Sequence, residues 1–60
     1  MMLDSILKGI RVEREQMADA LTAGGAEDYP AYKEIVGQIT GLSKAESIVL
    51  DLIEKIEDAD

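Results

Sequence analysis

Any chemistry in this 60-residue chain would have to come from carboxylates and hydroxyls. Thirteen Asp and Glu side chains are present. Asp51 with Glu54, and Glu54 with Glu57 and Asp58, share helical neighbourhoods where a metal ion or an acid–base pair is conceivable. Glu13 and Glu15, two apart on a helix, face different ways. No histidine accompanies any of them, which removes the commonest general base and transition-metal ligand. No calcium-loop spacing is present either, so these carboxylates read as a solvated face. Ser5, Thr22, Thr40, Ser43 and Ser47 have no histidine to activate them as nucleophiles. The glycine pair in "AGGAED" (23–28) lacks the preceding strand and following lysine of a phosphate loop. With no cysteine, disulfides and thiolate metal sites are also excluded. The chain reads as a non-enzyme with no cofactor and no metal.

Composition points instead to packing. The apolar fraction is 47%, yet Phe and Trp are absent and Tyr occurs only at 29 and 32. Such an aliphatic set suits helix-on-helix packing and offers little for stacking bases. A net charge of −7 argues further against a nucleic-acid backbone as partner. The charge is unevenly spread: net −1 over residues 1–25 and net −6 over 26–60. No apolar run approaches the ~20 residues of a membrane span. "MMLD" carries an acid where a secretory leader would be basic, so the expected location is intracellular and no membrane partner is expected.

The elements that position these residues are two helices. Leu3, Leu7, Ile10, Met17 and Leu21 follow alternating four- and three-residue steps, with Arg14 as the interruption and Ile6 and Ala20 widening the seam. Asp4 or Ser5 can cap the start. Arg11 and Glu15 fall at i, i+4 on the outer face. Gly24 or Gly25 is placed for a left-handed C-cap. Pro30 suits the first helical position of a second helix, with Asp28 close enough to accept from its free amides. Ile35, Ile39, Leu42, Val49, Ile53 and Ile56 repeat the same spacing, interrupted at Glu46. The fold class is therefore all-α: a single domain, 1–60, forming an antiparallel two-helix hairpin of about 3–23 and 30–57. Sixty residues give a marginal core, so oligomerisation or docking is expected to complete it.

Helix 2 carries a second apolar strip. Gly37, Gly41, Ala45, Ile48 and Leu52 lie nearly opposite Ile39 at 3.6 residues per turn. A hairpin covers only one face of each helix, so these five residues are the candidate protein interface. Two glycines cost a helix about 1 kcal/mol each relative to alanine. Either they admit a neighbouring backbone, or they bend helix 2 or divide it around 37–41. Arg14 and Glu46, the two seam interruptions, have two readings as well. Both reach out to solvent, or they pair. A turn near residue 26 puts Arg14 nearer Ile39 than Glu46, so that pairing would run between chains. Glu57, Asp58 and Asp60 crowd a helix C-terminus, where the dipole disfavours anions.

The stretch "DYPAYKEIVGQITGL" (28–42) resembles a pattern in small helical-hairpin proteins encoded among tailed-bacteriophage virion assembly genes. Asp28, Tyr29, Tyr32, Gly37, Ile39, Gly41 and Leu42 carry the likeness, and Pro30 departs from it. The resemblance covers a quarter of the chain. It implies a minor virion component or assembly accessory and no activity, with the virion or host cytoplasm as location. The alternative function is a small acidic inhibitor or regulator of a host protein, favoured by the charge of the second half. In both cases the partner is protein: the chain itself, a larger assembly or a host target.

Overall fold

A computed structural model describes residues 2–58. It consists of two helices, α1 (Met2–Thr22) and α2 (Tyr29–Asp58), packed side by side in a body 49 × 15 × 12 Å. The all-α hairpin expected from the spacing is the observed architecture. Each helix starts one residue earlier than expected, and Asp60 lies outside the described residues. Helix α1 is already helical at Met2, so Asp4 and Ser5 lie within its first turn rather than at its cap. At 1.5 Å per residue α2 is about 45 Å long and α1 about 32 Å, so the longer helix sets the length of the molecule.

The seam residues pack as their spacing requires. Leu3, Leu7, Ile10, Arg14, Met17 and Leu21 on α1 are withdrawn from solvent, as are Ile35, Ile39, Leu42, Glu46, Val49 and Ile53 on α2. Among the described residues only Leu7 and Val49 are buried, at 7% and 8% exposure. The core is thus a single line of side chains between two rods. Ile56 continues the spacing but is 48% exposed, because it lies where α2 runs on past the start of α1.

The corner is built from two caps. Gly24 takes φ +81°, the left-handed conformation that glycine adopts without a Cβ penalty. Its amide donates to Leu21 O at 3.1 Å and the Gly25 amide donates to Ala20 O at 2.7 Å. This is the paired arrangement that satisfies the last carbonyls of a helix. At the other side of the corner, Asp28 Oδ1 accepts from the Ala31 amide at 2.9 Å, and Asp28 O accepts the first helical bond from Tyr32 at 3.0 Å. Asp28 is therefore the N-cap. Tyr29 rather than Pro30 is the first helical residue, and proline fits the second position because no amide is needed there.

Candidate protein interface

Two arginines mark the register across the hairpin. Arg11 Nε donates to Glu46 Oε2 at 2.6 Å. Arg14 Nη1 donates to Glu46 Oε1 at 2.6 Å and to Ser43 Oγ at 3.4 Å, while its Nη2 donates to Glu46 Oε2 at 3.2 Å. This overturns both sequence readings of Arg14 and Glu46: they neither point to solvent nor wait for another chain. Two causes explain the difference. The corner residues climb past the end of α1 before crossing, which shifts α2 by about three residues, roughly 5 Å, against a symmetric turn. Helical side chains also lean toward their own N-terminus. In antiparallel helices Arg14 and Glu46 therefore lean toward each other. Arg11 turns to the same carboxylate rather than to Glu15 on its own helix.

Three donors around one carboxylate lower the Glu46 pKa from 4.5 to about 2, with the Arg14 hydrogen bonds the largest cause and those from Arg11 next. The Glu46 side chain is only 16% exposed, against 31% for Arg14 and 51% for Arg11. Arg14 is held more firmly protonated by the same contact. Every polar side-chain atom buried among the described residues has a partner.

The remaining polar groups do not converge. Thr22 Oγ1 donates to Ala18 O at 3.1 Å, Thr40 Oγ1 to Val36 O at 2.9 Å and Ser47 Oγ to Ser43 O at 3.3 Å. These hydroxyls serve their own helices. Among the described residues, no three acidic side chains come together to hold a metal ion. No helix among the described residues is long and apolar enough to cross a membrane.

The outer strip of α2 leaves apolar surface in water. Ile48 is 61% exposed and Leu52 43%. Gly37 and Gly41 are exposed and Ala45 is half-buried. A Cβ built at Gly37 or Gly41 meets nothing within 4 Å, so no residue of the hairpin requires glycine there. Helix α2 also runs unbroken through both glycines, which removes the division into two shorter helices. Helix α1 adds to the same flank: Met2 and Ile6 are exposed and lie at levels adjoining Leu52. The opposite flank of α2 mixes the polar Thr40, Ser47 and Glu54 with the exposed Val36 and Leu50.

A second surface escaped the reading of spacing. The register leaves the first turn and a half of α2 beyond the end of α1. There the Tyr29 and Tyr32 rings stack with centroids 6.4 Å apart, and Lys33 Nζ sits 5.6 Å from the Tyr29 ring centre. Both tyrosines are exposed. Their i, i+3 spacing was the available signal, since such pairs share a helix face.

No family model matches the chain, and no curated protein or solved structure is significantly similar to it.

Proposed function

We propose that the chain is a non-enzymatic structural protein that works by packing the outer strip of α2 against other protein, either copies of itself or a larger assembly. The observation that supports this is the exposure of Ile48 and Leu52 beside the open groove of Gly37 and Gly41. Ten large hydrophobic side chains among the described residues are exposed and only Leu7 and Val49 are buried, and burial of such exposed surface drives association. The resemblance over residues 28–42 makes a phage particle the assembly of choice, with the virion or host cytoplasm as location.

Stoichiometric co-purification with purified particles is the test. Presence at a fixed copy number is the expected result, and absence from particles made in its presence overturns the virion role. The net −6 of residues 26–60 favours one rival, an acidic regulator that presents carboxylates to a host protein. Binding that weakens steeply as salt rises would select the rival, because apolar packing is far less salt-sensitive.

A further inference from the structure

We infer that the partner covering the outer strip is a second copy of the chain, laid antiparallel along α2 about a two-fold axis passing beside Ala45. The inference rests on the packing role proposed above and names its partner. Along the strip, Glu34, Gly37, Gly41, Ile48, Leu52 and Lys55 are separated by three, four, seven, four and three residues. These six fall in pairs equidistant from a point beside Ala45, so each meets its opposite number on the second copy as in an isologous contact, with Ala45 itself next to the axis.

The residue types are complementary under that reversal. Gly41 meets Ile48 of the second copy and Gly37 meets Leu52, so each large side chain enters a position without a Cβ. Glu34 meets Lys55, so an opposite-charge pair closes both ends, about 32 Å apart at the rise of a helix. A parallel arrangement would set glycine against glycine, Ile48 against Ile48, and like charges at both ends. Neither Glu34 nor Lys55 has an ion-pair partner among the described residues.

A compact monomer of 6.5 kDa exposes about 3,800 Å² by the usual scaling, whereas this hairpin, drawn out to 49 Å, exposes 4540 Å², so surface remains for a second copy to cover.

Charge reversal tests the arrangement by sedimentation equilibrium, with circular dichroism verifying that each variant stays helical. Glu34→Lys alone and Lys55→Glu alone each place like charges at both ends and should weaken dimerisation about tenfold or more. An equimolar mixture of the two variants should restore it, because each heterodimer regains two opposite pairs. The double variant in one chain should dimerise like the wild type. A wild-type chain that stays monomeric at 100 micromolar overturns the dimer, and leaves docking on a larger assembly to the co-purification test. A dimer that ignores the single reversals, or is not rescued by mixing, overturns this arrangement.

Discussion

The guanidinium of Arg14 holds both carboxylate oxygens of Glu46 across the hairpin, at 2.6 and 3.2 Å, in a seam otherwise lined by aliphatic side chains. A polar pair at seam positions fixes register, because sliding either helix by one turn separates the charges while apolar neighbours remain interchangeable. With Leu7 and Val49 alone buried among the described residues, side-chain shape sets register only weakly. The ion pair selects one alignment of α1 and α2 among those that the corner allows.

This alignment should be pH-dependent. The folded-state pKa of Glu46 lies below its ordinary value, so at acid pH the unfolded chain binds the proton more readily. The stabilisation is complete above about pH 5 and is lost as pH falls toward 2. Wild-type protein should melt above Glu46→Gln at pH 7, and the gap should close by pH 2. A gap that persists unchanged would show that the charge on Glu46 is not what stabilises the hairpin.

Asp28→Ala removes the side-chain acceptor of the Ala31 amide and should cost about 1 kcal/mol. In a domain this small that is a fall in Tm of about 4–8 °C. Asp28→Ser should recover most of it. Thermal melts of the three proteins at neutral pH would settle whether the cap works as drawn.

The glycines should respond with different signs. A Cβ at Gly25 would lie 2.7 Å from Ala20 O, and Gly24 has a left-handed φ, so alanine at either should destabilise. Gly9 faces open space, and Gly9→Ala should stabilise by up to about 1 kcal/mol. Urea midpoints give all three signs. A stabilising Gly25→Ala would contradict the geometry of the corner.

For Gly41 the free chain and the assembled one should disagree. Alanine there meets nothing within the hairpin, so the monomer should gain helicity. Overpacking against a neighbour typically costs 1–3 kcal/mol, which outweighs the propensity gain. Gly41→Ala should therefore weaken association while strengthening the helix. Tighter association together with higher helicity would remove the groove from the interface.

The helices and their buried faces were legible because hydrophobic spacing is local: the same residues that step by four and three, Leu3 to Leu21 and Ile35 to Ile53, are those withdrawn from solvent. Register was not legible. It depends on how much of 23–28 is spent climbing beyond α1, which follows from the left-handed turn at Gly24 and the cap at Asp28 together. That quantity leaves Tyr29 and Tyr32 overhanging and Ile56 exposed and, together with the lean of helical side chains, accounts for the missed Arg14–Glu46 pair. The outer strip of Gly37, Gly41, Ala45, Ile48 and Leu52 was visible as spacing. Whether anything covers it is not written in a single chain's periodicity.

A core of two buried residues also bears on supply. Opened forms of so thin a hairpin are reached readily, and proteolysis follows the population of opened forms when reclosing is fast. Partner binding protects by mass action. Unassembled copies should therefore be short-lived in a cell, with their abundance set by available binding positions rather than by rate of synthesis. Pulse-chase labelling would show this as a half-life that lengthens when the wild-type chain assembles and stays short for the Glu34→Lys variant. Equal half-lives would mean that the free hairpin resists degradation unaided.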